Sequence, residues 1–246
     1  MDLLYQAMRP TYQRHGLAGE PAQPAAVVDP CPPSMREPDR PTAWAVRYVP
    51  YNGGGALPDW LMEPPTRPRI CVTLGSVVPL MAGVSGLSGV IAAVGQLDAE
   101  VVLALGDTNR STLGRLPNNV RTAGWVPLSA LAPTCNVIIH HGGAGTTMNA
   151  LVAGVPQVVL PYGADQHMNA ASVERRGVGL THLPEESDAA TVGHSLQRLL
   201  QKPAFREAAN QVRQEIAAQV SPAELVPRLA EVVSCAEVFG EGKDRT

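Results

Sequence analysis

One stretch of the chain is especially informative about its architecture: Val137-Ile138-Ile139-His140-His141-Gly142-Gly143-Ala144-Gly145-Thr146-Thr147. A short apolar run ends in two histidines and a glycine-rich turn, and a helical pattern follows. Apolar strands that lead into a turn and a helix are typical of parallel sheets covered on both faces. The stretch therefore predicts a strand over 137–140, a turn, and a helix from about Thr146 to Ala153.

The alternation of strand and helix continues in both directions from this stretch. Further apolar runs predict strands at 70–74, 101–105, 120–124, 157–160 and 178–180. Helices are predicted over roughly 85–97, from Asp165 to Arg176 with Asp165 as the N-cap, and two or three times within 188–237. We therefore expect the α/β fold class, with a Rossmann-like, doubly wound parallel sheet.

Residues 1–68 differ in composition from the rest of the chain. Twelve prolines between Pro21 and Pro68 exclude long helices and central strands there. We expect a short helix over 3–12 that Pro10 interrupts, edge strands at 25–28 and 45–49, and an extended linker over 57–69. Since such a region cannot form a core by itself, domains are predicted at 1–68 and 69–246.

Composition narrows the classes of function. The chain has 246 residues, 17% of them charged, and a net charge of −3, so nothing indicates a basic surface for nucleic acid. We find neither a transmembrane run nor a signal peptide in the sequence. Its four cysteines are far apart, which argues against a zinc ribbon and favours free thiols in a reducing compartment. We expect a cytoplasmic protein with no nucleic-acid partner, no membrane partner and no bound metal.

The glycine-rich turn is suited to an anionic ligand. Its glycines allow the backbone to approach a phosphate, and the helix start offers N–H groups without acceptors. His141 and Thr146 add side-chain donors. The turn lacks both the Gly-x-Gly-x-x-Gly fingerprint and the Gly-Lys-Ser/Thr of a Walker loop, and a tight turn that simply needs glycines is the alternative. We expect His140, at the end of the apolar strand, to be a core histidine.

Three more loops are expected at the same edge of the sheet, because the carboxyl ends of parallel strands meet there. Ser76 follows the first apolar strand, and the Trp125 ring offers a flat face to a base. Asp165 and Gln166 either favour the start of a helix or hold vicinal sugar hydroxyls. An ordinary turn and a core tryptophan are the corresponding alternatives for Ser76 and Trp125.

Taken together, these loops resemble the donor-binding signature of GT-B glycosyltransferases. The likeness is greatest to actinobacterial antibiotic glycosyltransferases and covers about residues 46–180 well. Its motifs are Trp125-Val126-Pro127, His141-Gly142-Gly143-Ala144-Gly145-Thr146, Gly154-Val155-Pro156, Pro161 and Asp165-Gln166. The resemblance implies that residues 69–246 are the donor-binding, C-terminal half of a GT-B fold, and that residues 1–68 are a remnant of the N-terminal acceptor domain with its linker.

The resemblance also implies a role for each site residue. Trp125 would stack on the pyrimidine base, the Val126 backbone would bind the base edge, and Asp165 and Gln166 would bind sugar hydroxyls. The diphosphate would be held by Ser76, His141, Gly143, Ala144, Gly145 and Thr146. Plant relatives use a glutamate for the ribose where this chain has Asn149, which favours a dTDP-sugar over a UDP-sugar. No metal or other cofactor is implied, since the helix end and the histidine offset the charge of the departing diphosphate.

The family's catalytic base lies outside the matched motifs. In relatives it is a histidine in the first loop of the N-terminal domain, and no histidine here, His15 included, occupies an equivalent place. We therefore expect a fragment that binds donor without efficient turnover. In an intact enzyme, an inverting displacement would move a deoxysugar to a hydrophobic polyketide or macrolide aglycone. Without a complete N-terminal domain packed against it, the inter-domain face would expose apolar surface, and this is expected to cause homo-oligomerisation.

Two other functions are compatible with the same motifs. A non-catalytic nucleotide-sugar binding module, or an assembly partner of another glycosyltransferase, would keep these binding loops. A nucleotide-sugar 2-epimerase shares the fold but needs acid and base residues in both domains, and no motif in this chain matches them.

Overall fold

The N-terminal quarter of the protein consists of short elements. The computed structural model describes residues 2–16, 24–37, 42–75, 87–106 and 113–240. The first elements are helix α1 (Asp2–Arg14), strand β1 (Val28–Asp29), strand β2 (Trp44–Ala45) and helix α2 (Asp59–Met62). Strands β1 and β2 pair with each other in parallel.

Three expectations for this region are wrong in detail. Helix α1 runs through Pro10, because an internal proline removes one backbone hydrogen bond but need not end a helix. The edge strands are only two residues long. The linker is not extended: it contains α2, whose Leu61 is buried. The ring of Trp60 lies 5.2 Å from the guanidinium carbon of Arg69 and 4.9 Å from that of Arg121. These contacts pack the linker onto the sheet.

A six-stranded parallel sheet forms the centre of the fold. Its strands are β3 (Arg69–Thr73), β4 (Glu100–Ala104), β5 (Val120–Ala123), β6 (Val137–His140), β7 (Gln157–Val159) and β8 (Gly179–Thr181). They lie in the order β5-β4-β3-β6-β7-β8, and every neighbouring pair is parallel. The order reverses between β3 and β6, which is the place where doubly wound sheets bind ligands. The predicted fold class is confirmed.

Helices cover both faces of the sheet. They are α3 (Ser88–Val94), α4 (Leu128–Leu131), α5 (Ala144–Ala153), α6 (Gln166–Arg176), α7 (Ala189–Gln201), α8 (Pro203–Ala218) and α9 (Pro222–Gly240). Side chains alternate along each strand, so Ile139 of β6 packs with α3 and α7 while its neighbour Ile138 packs on the opposite face. No helix within the described residues is both long and apolar enough to span a bilayer.

The N-terminal segment joins the core of the main sheet. Met35 is buried among residues of α5, α6 and α8. The Arg175 guanidinium donates hydrogen bonds of 3.1 Å to the carbonyls of Met35 and Arg36. The backbone N–H of Ser34 donates to the Glu215 carboxylate at 2.8 Å. Residues 34–36 therefore pack onto the helices that cover the main sheet.

Two helix boundaries differ from prediction in ways that affect the site. Helix α5 begins at Ala144, two residues before its predicted start, so Ala144, Gly145 and Thr146 of the glycine-rich stretch belong to its first turn and Gly143 is its N-cap. Helix α3 begins at Ser88 and ends at Val94, inside the predicted 85–97; positions 76–86 lie outside the described residues. Three helices, α7 to α9, occupy 188–237, in line with the predicted two or three.

Candidate functional site

The first turn of α5 presents backbone donors at the carboxyl edge of the sheet. Gly143 is the N-cap and has no side chain to satisfy these donors, and the first intrahelical bond runs from Thr147 N–H to the Gly143 carbonyl. The N–H groups of residues 144–146 therefore lack helical acceptors. Ala144 and Gly145 are exposed, so an anion can reach these donors and the positive end of the helix dipole.

The His141 ring lies between two glycine-containing loops. Gly75, after β3, has a φ of +66°, and a Cβ there would lie only 2.7 Å from His141 Cε1. A Cβ on Gly143 would collide with His141 Nε2. These contacts confirm that the loops after β3 and β6 meet at this edge. Ser76, the adjacent predicted phosphate ligand, lies outside the described residues.

His141 has unused hydrogen-bonding capacity. The residue is 8% exposed, and its buried Nδ1 atom has no hydrogen-bond partner. Burial lowers the pKa of His141, and the nearby charge of Asp165 opposes that shift. A diphosphate at the start of α5 would add negative charge beside the ring and favour its protonated form.

His140 is a core histidine, as predicted. Its ring is fully buried, and Nε2 lies 2.7 Å from Gln157 Oε1. Its Nδ1 atom accepts a hydrogen bond from Gly142 N–H at 3.0 Å. Burial lowers the pKa of His140 to about 3, outweighing the opposite effect of the hydrogen bond to Gln157. The ring is therefore neutral at physiological pH.

Trp125 lies on the surface, so the core-tryptophan alternative is wrong. It follows β5 and is 58% exposed. A Cβ on Gly55 would lie 3.6 Å from Trp125 Cδ1, and one on Gly106, after β4, would lie 3.9 Å from Cε3. Val126, next to it, is partly buried against the core. An exposed indole supported by glycines has a free face on which a base can stack.

Asp165 occupies the N-cap position of α6, but its side chain makes no capping hydrogen bond. Asp165 is thus the N-cap by position, as predicted, and its carboxylate can complement the helix dipole without capping the helix through a side-chain hydrogen bond. Its Oδ2 atom accepts a hydrogen bond from Asn169 Nδ2 at 3.2 Å, and the residue is exposed. Gln166 Oε1 accepts from Tyr162 N–H at 2.8 Å. The carboxylate of Asp165 remains available to a ligand, while the amide oxygen of Gln166 already holds the preceding loop.

Asn149, the residue predicted to lie at the ribose, is only 3% exposed. Its Nδ2 atom donates to the Gly145 carbonyl at 2.8 Å and lies 3.5 Å from the Tyr48 hydroxyl. Its Oδ1 atom is buried and has no partner. Tyr48 thus lies next to Asn149 and to the first turn of α5.

A cavity of about 280 Å³ adjoins the glycine-rich turn. It lies between α5, α6 and the segment 29–37, and its lining includes Met35, Ala144, Thr147, Met148, Asp165 and Asn169. The cavity therefore connects the start of α5 with the available carboxylate of Asp165. Within the part of the chain that the structure describes, no group of three His, Cys, Asp or Glu side chains is arranged to hold a metal.

Sequence reasoning missed three residues that shape the site: Tyr48, Gln157 and Asn169. Gln157 is a polar residue in an otherwise apolar strand, which signals a buried partner. Asn169 lies four residues after Asp165, one helical turn away on the same face. Tyr48 carried no comparable signal, because its contact with α5 joins segments that are far apart in sequence.

Comparison with protein families gives two matches. Residues 88–232 match the model of the C-terminal domain described as erythromycin biosynthesis protein CIII-like. Residues 7–75 match the model of the N-terminal domain of the same description.

Comparison with individual proteins gives consistent results. The chain is 45% identical to aklavinone 7-beta-L-rhodosaminyltransferase of Streptomyces galilaeus, over 82% of this chain and 46% of that protein. It is 38% identical to tylactone mycaminosyltransferase of Streptomyces fradiae, over 89% of this chain and 50% of that protein. The chain thus spans about half the length of these curated relatives.

Solved structures show the same likeness. Spinosyn rhamnosyltransferase SpnG complexed with thymidine diphosphate superimposes with a TM-score of 0.82 at 37% identity, covering 90% of this chain and 60% of that one. The glycosyltransferase SnogD from Streptomyces nogalater gives 0.78 at 42% identity, covering 94% and 63%.

Proposed function

Since the chain belongs to the erythromycin biosynthesis protein CIII-like family of glycosyltransferases, we propose that it binds a dTDP-sugar and forms the donor side of sugar transfer to a natural-product acceptor. The observation that carries the proposal is the buried His141 ring with an unpartnered Nδ1 atom at the exposed start of α5. The similarity to a transferase solved with thymidine diphosphate supports the choice of nucleotide.

The diphosphate would lie at the start of α5. Its oxygens would accept hydrogen bonds from the backbone N–H groups of Ala144, Gly145 and Thr146, with His141 beside them, and we expect Ser76 to bind the diphosphate as well. As the bond from sugar to phosphate breaks, negative charge grows on the departing dTDP. The helix dipole and the histidine stabilise that charge without a metal ion.

The nucleoside would extend along the sheet edge towards Trp125. Strands β6 and β5 are three strand spacings apart, roughly 14 Å, a distance of the order that a nucleotide spans. Trp125 would stack on the thymine and the Val126 backbone would bind its edge. The ribose would lie near Tyr48 and the buried Asn149. Because Asn149 replaces the glutamate of plant relatives, no carboxylate is offered there to two ribose hydroxyls, and this favours deoxyribose over ribose.

The sugar would lie next to Asp165 and Gln166, in the cavity between α5, α6 and residues 29–37. Transfer would be a direct, inverting displacement. The acceptor oxygen bonds to the anomeric carbon, the bond to the diphosphate breaks, and a base takes the hydroxyl proton. Because this base belongs to the N-terminal part of such enzymes, we expect the chain alone to bind donor without efficient turnover, and a small hydrophobic aglycone to be the acceptor of the whole enzyme.

Thermal unfolding with added nucleotides tests the proposal. A ligand at a hundredfold excess over its Kd stabilises a folded protein by about 2.7 kcal/mol. We expect a rise in Tm with dTDP, a smaller rise with UDP and none with ADP or NAD, and we expect His141→Ala to abolish the dTDP effect. Equal shifts with all four nucleotides, or none with any, would contradict donor binding.

A role as an assembly partner is the second candidate, favoured by one observation. The pair β1–β2 has no further strand within the described residues, and Val27 and Val28 are 43% and 38% exposed. Nearby, the Arg228 guanidinium packs 3.7 Å from the Trp44 ring. We expect this surface to associate, so light scattering should show a dimer or larger assembly, and a 26 kDa monomer would contradict that expectation.

A further inference from the structure

Gly142 is held through both of its backbone polar groups. Its N–H donates to His140 Nδ1 at 3.0 Å, and its carbonyl accepts from Asn169 Nδ2 at 2.8 Å. Its φ is +88°, and a Cβ there would lie 2.9 Å from Val159 Cγ1 and 3.0 Å from the Gln166 carbonyl. The residue therefore has one defined conformation, directly between the His141 ring and the first turn of α5.

The network around His140 defines its protonation. Because Nδ1 accepts the hydrogen bond from Gly142, the ring proton must lie on Nε2, which then donates to Gln157 Oε1 at 2.7 Å. Protonating the ring would place a second proton on Nδ1, opposite the Gly142 N–H. Two donors would then face each other, and the turn would lose its buried acceptor.

The surroundings of the ring keep it neutral. In the sheet, His140 is flanked by Thr73 of β3 and Val159 of β7, neither of which is ionisable. Helix α5, packed over this face, has no ionisable side chain in its sequence. The titratable group that acts on the His140 pKa is the His141 ring, with centroids 6.4 Å apart, and Asp165 acts in turn on His141. No carboxylate is among the groups that shift the His140 pKa.

We propose that His140 is a positioning residue for donor binding: its neutral ring, protonated on Nε2 and oriented by Gln157, holds Gly142 so that His141 and the first turn of α5 face the diphosphate. Asn169 holds the same glycine from the other side and ties it to Asp165. The proposal rests on the proposed donor binding. It assigns a role to His140 and Gln157, two buried polar residues that would not touch the ligand themselves.

A pair of substitutions at His140 separates positioning from packing. In His140→Asn the amide oxygen can still accept from the N–H two residues on, as in an Asx turn. His140→Leu fills similar space without an acceptor. We expect dTDP affinity to fall about tenfold or more in the leucine variant and to stay within about threefold in the asparagine variant, although both lose thermal stability. Equal losses of affinity would overturn the proposal.

A substitution at Gln157 adds a pH-dependent test. In Gln157→Glu a carboxylate beside Nε2 would favour the doubly protonated ring. The ratio of its dTDP affinity to that of the wild type should then fall as pH is lowered from about 8 to 6. Taking the ratio cancels the titration of dTDP and of His141. In Gln157→Met, which is similar in length and uncharged, the ratio should not change with pH. A flat ratio in the glutamate variant would overturn the proposal.

NMR of the wild-type protein keeps the test valid if these variants fail to fold. Correlation spectra of the histidine ring nitrogens should show one ring that is protonated on Nε2 and unprotonated on Nδ1 from about pH 5 to 8. The signals of this ring should disappear in His140→Asn, which assigns them to His140. If that variant does not fold, the contact of the ring with Gly142 assigns them instead. A proton on Nδ1 would overturn the proposal. A wild type that fails to bind dTDP would instead overturn the proposed function.

Discussion

The two ends of the proposed donor site are built differently. At the phosphate end, residues 141–146 are held by buried groups, and Gly142 has hydrogen bonds on both its backbone N–H and its carbonyl. At the base end, Trp125 is 58% exposed, and Gly55 and Gly106 lie beside its ring. The diphosphate therefore meets a preformed turn, whereas the base meets a surface side chain.

The difference has an energetic consequence. A preformed site spends little binding energy on ordering itself, so the phosphate end should supply most of the nucleotide affinity. His141 and Gly142 are buried there, so changes that displace them should affect folding and binding together. Changes at the base end should affect binding alone, and the two kinds of variant can be told apart by measuring both quantities.

The largest effect is expected from Gly143→Ala at the phosphate end. The new Cβ would collide with His141 Nε2, so the ring must leave its place between the two loops. We expect dTDP affinity to fall about a hundredfold, as when a charged group loses a buried hydrogen bond. Isothermal titration calorimetry measures this loss.

Gly163→Ala is the matched control for that experiment. Gly163 lies in the loop after β7, and a Cβ there would meet nothing within 4 Å. The control should bind dTDP as the wild type does. If both alanine variants bind equally well, then the close packing of His141 against Gly143 is irrelevant to the nucleotide, and the phosphate end is not the rigid half of the site.

The second effect is a dependence of stability on pH that comes from the phosphate end. Unfolded His140 takes up a proton near pH 6.5, whereas burial lowers the pKa of the folded residue to about 3. The free energy of unfolding should therefore be independent of this residue above pH 6.5 and fall by about 1.4 kcal/mol per pH unit below it. Urea unfolding at pH 7.5 and 5.5 measures the change.

His140→Asn supplies the comparison for the pH experiment. It removes the titrating ring, so the decrease between the two pH values should be smaller than in the wild type. His141, whose pKa is also lowered by burial, contributes a decrease of the same sign in both proteins. A variant that loses as much stability as the wild type would show that His140 is not the group responsible.

These contrasts also show what the sequence could reveal. The apolar runs and glycine turns predicted all six strands of the main sheet within a residue or two, because strands buried on both faces must be continuously apolar. The structure of the N-terminal segment is harder to predict from sequence. Its prolines suggested an extended chain, but Leu61 and Met35 bury themselves against helices and strands that are distant in sequence, and tertiary packing of this kind leaves no local pattern.

The same contrast applies to the residues of the candidate site: local motifs predict some of them but not others. His141 and Trp125 could be proposed from motifs, since glycine turns and loop tryptophans have local signatures. The position of Asn149 behind Tyr48 could not, because it depends on where a distant segment crosses α5. The early start of α5 has no local signature either: Gly145 in its first turn disfavours a helix, and only the fold shows that Gly143 is the N-cap.

The third effect is expected at the base end. Trp125→Ala removes the exposed face, and since aromatic stacking on a base contributes about 1–3 kcal/mol, dTDP affinity should fall about tenfold. Thermal stability without ligand should change little, because the side chain is largely in solvent. Tyr51→Ala, at an aromatic residue that is 90% exposed, should change neither quantity. A large loss of stability in Trp125→Ala would mean that the base end is as structural as the phosphate end.

The smallest effect is expected at Asp165, and it should appear only when a sugar is present. Asp165→Asn keeps an oxygen that can accept from Asn169 but removes the charge that a carboxylate offers to two sugar hydroxyls. Hydrogen bonds to a charged group are worth about 1.5–3 kcal/mol and those to a neutral group about 1, so the affinity for a dTDP-deoxysugar should fall about fivefold. Affinity for dTDP alone should stay within about twofold, because Asp165 is exposed and its effect on His141 is screened by solvent.

Glu185→Gln, at an exposed carboxylate outside the cavity lining, controls for the change in net charge. Equal losses for dTDP and for the dTDP-sugar would place Asp165 at the phosphate end and remove the sugar from the cavity beside α6.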